Sequence, residues 1–155
     1  MASERDSRIY GVLQTLIFCA YAAAVLFDRS SPVLDATGML RRVGAALALG
    51  GVALMLVAIR TLGGSIQIAP APKSTATLAT HGVYGWFRHP IYTGIVFIAM
   101  GLVLRQPTAL VGAGTVVVIA FLAVKVRFEE RLLLDRYPTY AVYRTRTWGL
   151  FPFLR

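Results

Sequence analysis

Charge and cysteine are both scarce in this chain. Only 15% of its 155 residues are charged against 57% hydrophobic, a balance that excludes an ordinary water-soluble domain of this size. An integral membrane protein is what remains. The single cysteine, Cys19, falls inside an apolar run, so an intrachain disulfide and a cysteine metal cluster are both excluded, and no metal site is expected. The formal net charge is +9, yet the basic residues surround hydrophobic runs and are not gathered on one soluble face, so no nucleic-acid partner is expected.

The apolar runs cover Ile9 to Phe27, Val43 to Ile59, Ile91 to Leu104 and Thr108 to Val124. Roughly 20 helical residues cross ~30 Å of hydrocarbon, which predicts an all-α integral membrane bundle of about four transmembrane helices. The first run is longer than the core of a signal peptide, and Phe27-Asp28-Arg29 lacks a small-residue cleavage pattern, so it is read as retained. The third run is short. It either begins before Pro90, stops partway, or forms a tight hairpin with the fourth across Arg105-Gln106-Pro107. With four crossings, twelve Lys and Arg lie on the side of the termini and of the 60–90 connection, against Arg29, Arg41, Arg42 and Arg105 on the other. The positive-inside rule then places both termini of this multi-pass protein in the cytoplasm.

Gly11, Gly44, Gly50 and Gly51, with many alanines, make the first two spans (residues 1–59) look like closely packed scaffold. Residues 60–80 read as a loop in which Ser65 to Ile68 alternates like a short strand. Pro90 suits the first turn of a helix, since the N–H it lacks would have no partner there. His89 then stands at the entrance of the third helix and Tyr92 in its first turn, where free backbone N–H groups attract anions. The fourth helix meets no glycine or proline between Val124 and Pro138, so it continues beyond the membrane as a cytosolic extension carrying Glu129 and Glu130. The tail alternates aromatics with arginines, as a segment at headgroup level does, and Trp148, Phe151 and Phe153 read as interface anchors. Plain structural roles stand beside these readings. His89 could cap its helix, and Glu129 and Glu130 could form a solvated face paired with Arg127 or Arg131.

The densest chemistry lies in Thr80-His81-Gly82-Val83-Tyr84 and Arg88-His89-Pro90-x-Tyr92-x-Gly94, followed by Glu129-Glu130 with Leu133, Tyr140 and Tyr143 downstream. Over residues 60–155 this order resembles the isoprenylcysteine carboxyl methyltransferase family, related to the phospholipid N-methyltransferases. The resemblance implies one methyltransferase domain over 1–155, with cofactor and catalytic residues in 60–155. It implies S-adenosylmethionine as cofactor and a lipidic acceptor entering from the bilayer, most naturally an isoprenylcysteine-like carboxylate. Cofactor-binding candidates are His81, Tyr84, Arg88, His89, Tyr92, Glu129, Glu130 and Tyr140. These supply faces for adenine, acceptors for hydroxyl and amino groups, and donors for a carboxylate. Catalytic candidates are Arg144 or Arg146, facing the acceptor carboxylate, and Glu130, which could serve as base toward an amine acceptor. Tyr137-Pro138-Thr139-Tyr140 stands where the family pattern is one residue longer, which leaves the register of the tail open. No Gly-x-Gly-x-x-Gly follows a predicted strand, so a soluble Rossmann methyltransferase is disfavoured. Three rival readings are a phospholipid N-methyltransferase, a reductase of sterols or isoprenoids using reduced nicotinamide, and a non-catalytic membrane interaction protein.

Overall fold

A computed structural model describes residues 4–62 and 78–151. The expected strand-like stretch at 65–68 and the anchor Phe153 lie outside the described residues. Among the described residues five α-helices follow one another: α1 (Glu4–Phe27), α2 (Gly38–Leu62), α3 (Pro90–Arg105), α4 (Ala109–Arg136) and α5 (Tyr140–Arg146), with a 3-10 turn at Gly82–Gly85 before α3. The all-α expectation is met. The single β-bridge among the described residues joins Phe87 to Trp148.

α1, α2 and α4 are long and apolar enough to cross a membrane, and α3 is a shorter apolar helix. At 1.5 Å per residue, the 16 residues of α3 rise about 24 Å, less than the ~30 Å of a hydrocarbon core. Residues 106–108 form a short connection that turns α3 into α4. α3 begins at Pro90 and not before it, and Thr108 caps α4 by accepting a 3.2 Å hydrogen bond from Val111 N–H. Large apolar side chains such as Leu16, Leu26, Leu49 and Val116 stay exposed on the helix surfaces, as an integral membrane protein requires of its lipid-facing side.

α2 and α3 pack along a seam of glycines. Gly44 and Gly51, two turns apart on α2, face Gly101 and Gly94, two turns apart on α3. A Cβ on Gly51 would lie 2.5 Å from the Gly94 carbonyl oxygen, and one on Gly94 would lie 2.6 Å from that of Gly51. The backbones therefore touch, which only a missing side chain allows. Of the glycines expected to serve a scaffold, Gly44 and Gly51 do so within the chain, against α3, whereas a Cβ on Gly11 or Gly50 would meet nothing within 4 Å. On its other face α3 presents Val96 and Ala99 to Val118 and Leu122 of α4. α1 joins through Tyr21, whose hydroxyl donates to the Ala99 carbonyl at 3.2 Å and shares a 2.8 Å bond with Thr115, and through Tyr10, stacked on Phe128 at 4.6 Å.

α4 runs on to Arg136, where Tyr137 and Pro138 end it, so its last turns reach beyond the apolar run. After α5 the chain returns to the entrance of α3. Arg88 N–H donates to the Trp148 carbonyl and Trp148 N–H to the Trp86 carbonyl, both at 2.8 Å, and Thr93 Oγ1 donates to the Leu150 carbonyl at 2.9 Å. Trp148, expected as an interface anchor, packs edge-on against Phe87 at 5.3 Å, and Phe151 lies against the core. The tail is docked onto the protein.

Candidate functional site

Three sequence-distant pieces meet where the entrance of α3, the far end of α4 and the docked tail converge. Gly82, at φ +58°, turns the chain in a conformation that side chains resist, and a Cβ there would approach Thr61 at 3.1 Å. The 3-10 turn that follows buries Tyr84. Its carbonyl accepts the Tyr143 hydroxyl at 2.6 Å. Burial raises the phenols of Tyr84 and Tyr140, and holds that of Tyr143 at about 12 against the opposing pull of the Arg88 cation.

Arg88 and His89 are both buried. Arg88 Nε donates to Glu130 Oε1 at 2.8 Å, while Nη1 donates to the carbonyls of Arg144, at 2.8 Å, and Thr147. One guanidinium thus holds the Glu130 carboxylate and the tail backbone together, a fork that lysine cannot copy. His89 does not cap α3, for its side chain makes no capping bond. Its ring stacks on Tyr92 at 5.8 Å and sits between two carboxylates, with Nε2 3.4 Å from Glu130 and Nδ1 3.8 Å from Glu129. Nε2 is buried and faces Glu130 Oε1 at ion-pair distance without a well-aligned hydrogen bond.

Glu129 and Glu130 are turned inward. The solvated-face alternative is ruled out by their partners: the Tyr92 hydroxyl donates to Glu129 Oε1 at 2.7 Å, and Glu130 carries Arg88 on one oxygen and Arg144 Nε at 3.4 Å on the other. One turn before Glu129, Lys125 is fully buried. Its ammonium bonds to Gln14 of α1, lies 3.7 Å from Glu129 Oε1 and 5.3 Å from the centre of the Tyr92 ring. Lysine at the middle of a membrane helix costs about 2.5–3.5 kcal/mol on insertion scales, so one buried at the end of an apolar run needs such partners.

These groups line a cleft of about 280 Å³, bounded by Gln14, Tyr84, His89, Tyr92, Lys125 and Glu129 among others. Ligand pockets commonly start at about 300 Å³, so a small molecule with several polar groups is of the right scale. Of the sequence candidates, the structure gathers Tyr84, Arg88, His89, Tyr92, Glu129, Glu130, Tyr140 and Arg144 around this cleft and its floor. His81 is exposed on the far side of the 3-10 turn, and Arg146 is exposed at the end of α5. Among the described residues neither side chain is joined to the cluster by a hydrogen bond or ion pair; His81 meets it only through its carbonyl, which accepts from Tyr84 N–H at 3.1 Å. Gln14 and Lys125 escaped the sequence reading. Lys125 stands four residues before Glu129 and so on its face, and Gln14 is the one amide inside the first apolar run.

The profile of the isoprenylcysteine carboxyl methyltransferase family matches residues 44–135, more than half of the chain and the part that carries Arg88, His89, Tyr92, Glu129 and Glu130. The chain belongs to that family. Protein-S-isoprenylcysteine O-methyltransferases of Tribolium castaneum and Xenopus laevis are 30% and 32% identical over 79% and 80% of this chain, and that of Saccharomyces cerevisiae is 30% identical over 77%. A solved structure of the eukaryotic intramembrane Ras methyltransferase of the family superposes on 99% of the chain with TM-score 0.67 at 27% identity. This chain spans about half the length of these relatives, 44–52% of the curated proteins and 55% of the solved one.

Proposed function

We propose that this family member is a membrane methyltransferase that uses S-adenosylmethionine and esterifies the carboxylate of an isoprenylcysteine-like lipid. The observation that carries the reading is the pair Glu129 and Glu130 beside His89 and Tyr92, Glu129 half-buried in the cleft lining and Glu130 buried next to it at the end of the apolar runs. The cofactor presents two cationic groups, two ribose hydroxyls, a carboxylate and a flat base. The residues fit those needs. Glu129 offers acceptor oxygens, Tyr84 and Tyr92 offer aromatic faces, and His89 brings its imidazole to the cleft wall. We assign cofactor contact to Tyr84, His89, Tyr92, Glu129 and Glu130, with Tyr140 closing the floor. When bound, S-adenosylmethionine supplies a methyl group activated by its sulfonium.

The chain's own part is placement. A carboxylate acceptor is ionised near neutral pH and needs no general base, which leaves orientation and exclusion of water as the protein's work. Glu130 is already matched by Arg88 and Arg144, so on this reading it orders the cofactor side of the cleft and does not abstract a proton. Arg88 acts through others, holding Glu130 and the tail in place. The excess of Lys and Arg on one side supports both termini in the cytoplasm, where the cofactor is available. A single domain over 1–155 is supported by α1, which lends Gln14 to a cleft otherwise lined by residues after 58.

Calorimetric titration of the detergent-purified protein with S-adenosylmethionine and with reduced nicotinamide dinucleotide phosphate tests the reading. Saturable binding of the first, weakened at least tenfold by His89→Ala, is expected. Binding of the nicotinamide alone would sink it.

A further inference from the structure

Resting on the methyltransferase reading, the geometry points to a seat for the acceptor's carboxylate that neither tail arginine provides: we propose that it is the ammonium of Lys125 together with the side-chain amide of Gln14. The argument starts from direction. A lipidic acceptor keeps its tail in hydrocarbon, so its carboxylate reaches the cleft from the apolar side. Lys125 lies one helical turn from Glu129 toward the apolar part of α4, and Gln14 lies within the apolar run of α1. Arg144 and Arg146 lie on α5, after the end of α4, and Arg144 is engaged by Glu130. The cation met first from the bilayer is Lys125.

Chemistry agrees with position. Lys125 is 1% exposed and lines the cleft beside Gln14, Tyr92 and Glu129. An ammonium has three donors and no acceptor, so it orients the Gln14 amide with its oxygen inward and leaves the NH2 of Gln14 to donate elsewhere. Two donor groups on adjacent helices match the two oxygens of one carboxylate. The seat spans α1 and α4, and α1 lies outside the stretch that matches the family profile. A purely structural role is the competing explanation: the pair would merely pin α1 to α4.

The two explanations separate in a competition-binding experiment in lipid nanodiscs, with an N-acetylated prenylcysteine acid and its uncharged carboxamide as probes. The wild-type protein is expected to prefer the acid by about 30-fold, the scale of one desolvated charge-assisted contact. Lys125→Met should bring acid and carboxamide within about threefold of each other by weakening the acid, while carboxamide affinity stays within about threefold of wild type. Lys125→Arg should keep most of the preference, and Gln14→Leu should lower acid binding by about fivefold without touching the carboxamide. If Lys125→Met fails to fold, these two variants carry the test. A retained acid preference in Lys125→Met, or equal loss of both probes and of the cofactor, overturns the seat. A wild-type protein that binds the cofactor but does not distinguish acid from carboxamide overturns the seat and leaves the methyltransferase reading standing. Failure to bind the cofactor at all sinks that reading instead.

Discussion

Arg88 allows a sharp separation between holding the fold and holding a ligand. Its guanidinium makes one bond to Glu130 and two to the carbonyls of Arg144 and Thr147. Removing one member of a buried ion pair costs about 3–5 kcal/mol, and the low end applies here because Glu130 keeps Arg144 and His89 within 3.4 Å. For Arg88→Met a loss of about 3 kcal/mol, taken by the tail alone as a local opening, raises the opened population by roughly 100-fold. Arg88→Lys keeps one contact to Glu130 and loses the fork to the carbonyls, so about 10- to 30-fold is expected. Limited trypsin digestion reads this directly. Arg144 and Arg146 sit in α5 and become cleavable when it undocks, at a rate that follows the opened population when closing outpaces cleavage. The order of cleavage rates should be wild type, Arg88→Lys, Arg88→Met. Cleavage within threefold of wild type, accompanied by lost S-adenosylmethionine affinity, would refute the reasoning and make Arg88 a ligand group.

The glycine seam gives a second test. Gly51→Val places a methyl-bearing carbon 2.5 Å from the Gly94 carbonyl and should lower the unfolding temperature by roughly 2–12 °C, from an overpacking cost of about 1–3 kcal/mol. Gly50→Ala, with nothing within 4 Å of the new carbon, should leave it unchanged; equal effects would contradict the seam. The buried tyrosines set an alkaline limit. Because Tyr84, Tyr140 and Tyr143 have phenols raised in the folded state, their stabilising effect is complete below the unfolded value of about 10 and is lost as pH rises beyond it. The unfolding temperature should therefore be insensitive to these groups up to about pH 9.5 and fall between about pH 10 and 12. Tyrosinate absorbance from these three residues below about pH 10 would contradict their burial.

Local signals in the sequence are the ones that survive contact with the structure. Pro90 opens α3 because a missing N–H is harmless there, and α4 outlasts its apolar run because nothing before Pro138 stops it. Pairings between distant segments were less visible. Gly44 and Gly51 look like scaffold until Gly94 and Gly101 are seen to repeat the same spacing on α3. Lys125 passed as one more basic residue bordering a span, since only the fold brings Gln14 from the other end of the chain to meet it. Trp148 carried the signature of a headgroup anchor, and nothing local announces that its backbone pairs with Trp86 and Arg88. Arg88 shows another side of this: its motif suggests a ligand group and it lines the cleft, and nothing local announces that its Nε and Nη1 also hold Glu130 and the tail.

The most direct test of the account is methyl transfer itself. Purified protein in lipid vesicles would be given S-adenosylmethionine with a labelled methyl group and an N-acetylated prenylcysteine, and base-labile volatile label counted as the methyl ester. The account predicts ester that accumulates with time, falls at least tenfold in His89→Ala, and is absent when the acceptor is a carboxamide. Folded protein that binds S-adenosylmethionine yet leaves the prenylcysteine carboxylate unesterified would contradict it.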